Sequence, residues 1–244
     1  MSEDPSVKTL REENIDALPN PEKVLHDKNI VAFFSPRKSL DALEWCADRI
    51  ECAKSSVSFT AAFGVNQLFA DKLSVESDAL RYVLLEKRGK NFNKFSQVKN
   101  NKVALGSVLS KDISEAIGDS HLHKWLGEKS TNLNVHVRYL HTKYTLVDPL
   151  SDNPLVISGS ANFSKASIKN NDENMLAIFD NKRVADIFIS EFMRLFNHFY
   201  FRYVVSMTID KKAKKSPYLK SNDRWVKKYF RRDSVHKAER ELFR

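Results

Sequence analysis

The chain has 244 residues, 42% of them hydrophobic and 29% charged, which fits one sizeable globular domain with appendages. No apolar run approaches eighteen residues, which excludes a membrane-spanning helix, and the acidic, polar opening MSEDPSVKTLREENID lacks the basic start and apolar core of a secretory signal, so the expected location is the cytoplasm. The net charge of +9 is localised: residues 211–244 hold 13 of the 40 Lys and Arg but 4 of the 31 Asp and Glu, leaving 27 of each sign in the rest, a distribution that points to a polyanionic partner.

Residues 1–28 read as a polar, irregular lead-in. NIVAFFSP (29–36) predicts a strand stopped by Pro36, and 39–55 an amphipathic helix with Ser39 as N-cap and Leu43, Cys46, Ile50 and Ala53 at helical spacing. Cys46 and Cys52 fall on that helix, cannot bridge each other there and make no zinc signature, so both are expected as small hydrophobes in or near a core. A strand over 56–63, a helix over 65–73, and strands over 80–86 and 99–106 follow, then a short helix over 121–129. Strands then dominate, over 133–140, 143–148, 154–160 and 174–180, before a long helix over 181–207. Its residues Val184, Phe188, Phe192, Leu195, Phe199 and Tyr203 form a continuous core-facing stripe. The pattern predicts an α/β fold, a mixed β-sheet flanked by helices, over 29–207, with a basic C-terminal extension over 208–244.

Chemistry concentrates in HTKYTLVD, residues 141–148. On an extended strand His141 and Lys143 share a face. An imidazole beside an ammonium suits a phosphate: one attacks phosphorus or passes a proton, the other neutralises a non-bridging oxygen. Asp148 has the opposite parity and reads as a scaffold residue. Downstream, Ser160 and Asn162 sit where the next strand turns over, with a hydroxyl and an amide for phosphate oxygens, and Gly159 permits close approach. Glu173 is a carboxylate able to hold one ring nitrogen of a histidine nucleophile. His121, His123 and His136 lack this spacing and read as structural histidines.

HTKYTLVD, GSAN and Glu173, eleven residues past Asn162, resemble the signature of the phospholipase D superfamily, over roughly residues 29–205 and most closely in the C-terminal half of longer bacterial phospholipase D-like proteins. The resemblance implies a metal-independent phosphodiesterase with no cofactor, whose site is built from two such motifs across a two-fold axis. One histidine attacks phosphorus to give a phosphohistidine and the other protonates the leaving oxygen. His141 would be nucleophile or general acid, Lys143 and Asn162 would bind phosphate with Ser160 assisting, and Glu173 would orient His141. This chain carries one motif, so the second comes from another copy in a homodimer, or the chain is half of a longer protein.

Three readings stay open: a nuclease, a phospholipase D-type enzyme acting on lipid headgroups, and a non-catalytic nucleic-acid-binding module that keeps the fold. In the tail, Lys211, Lys212, Lys214, Lys215, Lys227, Lys228, Arg231 and Arg232 would neutralise backbone phosphates while Trp225, Tyr229 and Phe230 stack on bases. The same composition also suits an anionic membrane surface.

Overall fold

A computed structural model of the chain describes residues 5–18, 29–107, 140–210 and 221–244. Seven strands form one sheet: β1 (Ile30–Ser35), β2 (Ser56–Ala61), β3 (Leu80–Leu85), β4 (Asn101–Leu105), β5 (Tyr144–Val147), β6 (Leu155–Gly159) and β7 (Glu173–Phe179). Their order is β1-β7-β6-β5-β2-β3-β4, with β2, β3 and β4 parallel and every other pairing antiparallel. The mixed sheet flanked by helices is the architecture expected. The expected helix 121–129 and strand 133–140 lie outside the described residues, apart from Leu140.

Both faces of the central strands are covered, so β2 and β3 are buried along their whole length. On one face α2 (Asp41–Glu51), α3 (Gln67–Ser74), the single turn α4 (Phe92–Phe95) and α5 (Lys165–Asn170) close a core around Phe33, Trp45, Phe59, Phe69 and Phe163. On the other, α6 (Lys182–Asp210) lays Phe192, Phe196 and Phe199 over Tyr82, Tyr144 and Val156. The stripe along α6 is core as expected, with Phe192, Phe199 and Tyr203 buried and Val184, Phe188 and Leu195 packed at its margin.

Three local expectations are corrected. Within the lead-in, Pro5–Ala17 is a helix, α1, where irregular chain was expected. It has no buried apolar stripe and is docked by polar bonds, with Asn14 Nδ2 donating to Pro36 O (3.0 Å) and the buried Arg37 donating to Asn14 O (2.7 Å) and Leu18 O (2.8 Å). Ser39 does not cap α2. The N-cap position is Leu40, and the Ser39 hydroxyl donates to the Asp41 carboxylate, a side chain that also receives Arg37. Cys46 is buried, but Cys52 is exposed at the C-terminus of α2 because the helix ends one residue before it.

The C-terminal residues 221–244 fold back onto the α6 face. Helix α7 (Val235–Leu242) is N-capped by Ser234 and packs Val235, Ala238 and Leu242 against the second core. Glu239 takes a hydrogen bond from Tyr82 Oη (3.1 Å) and an ion pair from Lys102, joining α7 to β3 and β4.

Candidate active site

The strand registers bring one set of strand ends together. Ser35 pairs with Glu173, Gly159 with Met175, Tyr144 with Ser158, and Ala61 with Leu85, which pairs with Leu105. The C-terminal ends of the three parallel strands thus meet the entry to β5, the exit from β6 and the start of β7. Ligands in open α/β sheets bind outside such carboxyl ends, where backbone direction changes.

His141 and Lys143 lie just before β5, not within it, so their common direction comes from local bonds instead of the ladder. His141 is exposed, and its ring meets the ring of Phe63 edge-on at 5.8 Å. Lys143 Nζ donates to the His141 carbonyl at 3.0 Å, which folds the ammonium back toward the histidine. Partial desolvation by its neighbours, and secondarily the Lys143 charge, hold the exposed His141 imidazole below its ordinary pKa and favour the neutral form. Burial likewise lowers Lys143, while the negative charge of Glu173 pulls it back up.

Asn162 follows β6 and reaches the same place. With Lys143, Phe163 and Ser164 it forms one wall of a cleft of about 180 Å³ whose other wall is the β2–α3 connection, residues 61–66. The Asn162 Oδ1 atom is buried without a hydrogen-bond partner. A half-turn of the amide exchanges this acceptor with the NH₂ donor that a phosphate oxygen requires. Whole small-molecule pockets run to roughly 300–1,000 Å³, so a single chain offers room for a phosphate and part of one substituent.

Of the remaining motif residues, Glu173, Ser160 and Gly159 are engaged elsewhere than expected, and Asp148 is the scaffold residue its parity predicts. Glu173 does not bond His141: its Oε1 accepts from Asn171 Nδ2 at 3.2 Å, and its charge acts on Lys143. The Ser160 hydroxyl is engaged with β7, accepting from Asn174 N at 3.0 Å and lying 3.4 Å from Asn174 O. Gly159 permits close approach of β7, not of a ligand, since a Cβ there would sit 2.2 Å from Asn174 O. Asp148 stands at the far end of β5 in left-handed backbone (φ 46°), a region aspartate tolerates, and its carboxylate collects the N–H groups of Lys54, Ser55 and Ser56.

In the tail, Trp225, Lys227 and Lys228 are exposed on a 3-10 turn, Asp223–Tyr229, and Arg231 and Arg232 are exposed just after it. Phe230 is 62% exposed, with the Arg240 guanidinium 4.7 Å from its ring centroid. Lys211, Lys212, Lys214 and Lys215 lie outside the described residues. Three residues at the site are not marked by any sequence motif: Phe63, Thr60 and Glu86. Their signals are an exposed aromatic before a glycine, a threonine in an otherwise buried strand, and a lone carboxylate closing the apolar run LRYVLL.

The family described as "Cardiolipin synthase, PLD-like domain" matches residues 80–196. Among solved structures, the chain is similar to Nuc from Salmonella typhimurium, a phospholipase D family member (18% identity over 69% of this chain and 93% of that one, TM-score 0.46). It is similar to NucT from Helicobacter pylori (20% identity, 68% and 93%, TM-score 0.48). It is also similar to a polyphosphate kinase from Porphyromonas gingivalis (11% identity, 75% and 26%, TM-score 0.48). No curated protein matches the chain significantly. Among the described residues no helix is long and apolar enough to cross a membrane.

Proposed function

We propose that the chain, matched over residues 80–196 by the family described as "Cardiolipin synthase, PLD-like domain", is a phospholipase D superfamily member and a metal-independent phosphodiesterase, a nuclease, whose site is completed by a second copy across a two-fold axis. The observation that carries this reading is the placement of Lys143 and Asn162 on one wall of a cleft sized for a phosphate group, with His141 beside it, its carbonyl bonded to Lys143 and its ring against Phe63 of the opposite wall.

The neutral His141 imidazole attacks phosphorus, forming an N–P bond as the P–O bond to the leaving group breaks. The His141 of a second copy gives its proton to the departing oxygen. That second histidine then takes a proton from water, whose oxygen displaces the first imidazole from phosphorus and regenerates it. Lys143 and the Asn162 amide hold the non-bridging oxygens, where charge accumulates. The exposed aromatic and basic residues of 221–244 provide a sequence-independent surface for a polyanion.

Purified protein in EDTA is expected to cleave single- or double-stranded DNA and bis-p-nitrophenyl phosphate, and His141→Ala is expected to abolish both activities. A requirement for Mg²⁺, or activity surviving His141→Ala, would overturn the mechanism. Specific activity should fall on dilution as dimers dissociate, whereas a fully active monomer would remove the shared site. The exposed Trp225 and Phe230 among basic residues also suit an anionic bilayer, so a second reading is a lipid-headgroup phosphodiesterase. Release of choline from phosphatidylcholine vesicles, with no DNA cleavage, would select it.

A further inference from the structure

The catalytic segment lacks the usual support of a strand. The β5 ladder begins at Tyr144, opposite Ser158, so residues 140–143 carry the histidine and lysine without a ladder partner. Yet a nucleophile must be held closely: a displacement of about 1 Å can cost on the order of 100-fold in rate. Glu173, expected to hold the imidazole, bonds elsewhere.

Two buried side chains from neighbouring strands hold the segment at its ends. At the β5 end, Thr60 Oγ1 accepts from Tyr144 N at 2.9 Å and donates to Tyr144 O at 3.3 Å. At the other end, Glu86 Oε2 accepts from Leu140 N at 2.9 Å, one residue before His141. Glu86 directly follows β3, and only 2% of its surface is exposed. A bond from N–H to a buried carboxylate is charge-assisted, and its loss leaves a buried donor unsatisfied. A second observation shows how tightly this contact is packed. A Cβ on Gly106 would lie 2.8 Å from Glu86 Oε2 and 2.9 Å from Leu140 Cδ1. The carboxylate and Leu140 are thus pressed together against a bare glycine backbone, which leaves them little freedom to rearrange.

We propose that Glu86 is a positioning residue for His141, fixing the segment that carries the histidine through the Leu140 N–H and the close packing at Gly106. This rests on the reading of His141 as the reacting group. The carboxylate needs only its acceptor oxygen for this role, so glutamine should substitute for it and an apolar side chain should not.

The test uses the full chain with Glu86→Gln, Glu86→Leu and Gly106→Ala, each checked for folding by thermal melt. Amide hydrogen exchange comes first, because it needs no activity. In Glu86→Leu the Leu140 amide should exchange at least tenfold faster while the β5 amides of Leu146 and Val147 stay as in the wild type. With bis-p-nitrophenyl phosphate, Glu86→Leu should lose about 100-fold in kcat with KM within about threefold, and Glu86→Gln should stay within about fivefold of wild type. Unchanged exchange at Leu140, wild-type kcat in a folded Glu86→Leu, or equal damage from glutamine and leucine would each overturn the proposal. Should Glu86→Leu fail to fold, Gly106→Ala decides: its methyl pushes on the same carboxylate, and an unchanged kcat and unchanged Leu140 exchange would count against it. A wild-type protein without diesterase activity would sink the proposed function, while the exchange measurement would still decide whether Glu86 holds the segment.

Discussion

Asp148 and Ser55 are joined twice: the aspartate Oδ1 accepts the Ser55 N–H at 2.6 Å and the Ser55 hydroxyl at 2.7 Å. The same carboxylate takes the N–H groups of Lys54 and Ser56, so it gathers the backbone that enters β2 and ties it to the end of β5. The last residue of HTKYTLVD therefore stands at the opposite end of its strand from His141 and Lys143. Burial would raise its pKa, but the bonds from residues 54–56 prevail and hold it below the ordinary carboxylate value. With the folded pKa depressed, its contribution is present above the unfolded value of about 3.9 and is lost as pH falls through the folded value.

Asp148→Ala should destabilise the fold by about 2–3 kcal/mol, since it strands several partly buried donors and places alanine in left-handed backbone. Asp148→Asn, which keeps one acceptor and tolerates that backbone, should cost less. Urea unfolding at pH 7 measures both. Repeated at falling pH, the gap between wild type and Asp148→Asn should begin to narrow below about pH 4 and vanish once the pH is below the depressed folded value. A gap that persists there would show that the carboxylate charge is not what holds the turn.

Gly159→Ala should be as damaging as a core substitution, although the residue is only half-buried. Its methyl would collide with the β7 backbone at Asn174 and Met175, so β6 and β7 must part. Overpacking of this kind costs about 1–3 kcal/mol. Because Asn162 follows β6 by three residues, tungstate, used as a phosphate mimic, should bind more weakly to the folded fraction. Denaturant midpoints and anion titration check the two effects separately.

How far the sequence could be read depended on what holds each element. Strands and α6 were legible because burial repeats along them, as the Phe192, Phe199 and Tyr203 stripe shows. The helix Pro5–Ala17 was not, since it docks through Arg37 and Asn14 and leaves no apolar periodicity to read. The spacing of His141, Lys143 and Asn162 marked a candidate site, but spacing says nothing of side-chain direction. Glu173 and Ser160 fall at the expected positions and bond to Asn171 and Asn174 instead. Glu86 was hidden for a related reason: the partner of its buried carboxylate, the Leu140 N–H, is a backbone group 54 residues away and leaves no trace in either segment.

The His141 ring should titrate below the ordinary imidazole value of about 6.5. Partial desolvation is the larger cause and the Lys143 charge the smaller, so Lys143→Met should raise the pKa without restoring the ordinary value. Titration of the His141 ring protons by NMR reads both steps. Because the neutral form is the nucleophile, the acid limb of kcat/KM should lie at the same lowered pH. A ring titrating above 6.5 in the wild type would contradict the nucleophile assignment for the isolated chain.

Deleting the basic tail would not isolate its electrostatic role, because α7 is part of the fold: Glu239 is bonded to Tyr82 and Lys102, and Phe243 meets Tyr82 edge-on. Removing 221–244 would uncover the α6 face and destabilise the protein. Replacing Lys227, Lys228, Arg231 and Arg232 by glutamine removes four exposed charges and spares these interactions. The quadruple variant should keep the wild-type melting temperature within a few degrees and the wild-type kcat on bis-p-nitrophenyl phosphate. Its affinity for duplex DNA should fall, and the slope of log K against log salt should shrink by about 0.9 for each phosphate that is no longer neutralised, up to roughly 3–4 in total. Fluorescence anisotropy over a salt series measures that slope. An unchanged slope would mean that the polyanion binds elsewhere, and that the exposed charges of 221–232 only keep this face of the protein in water.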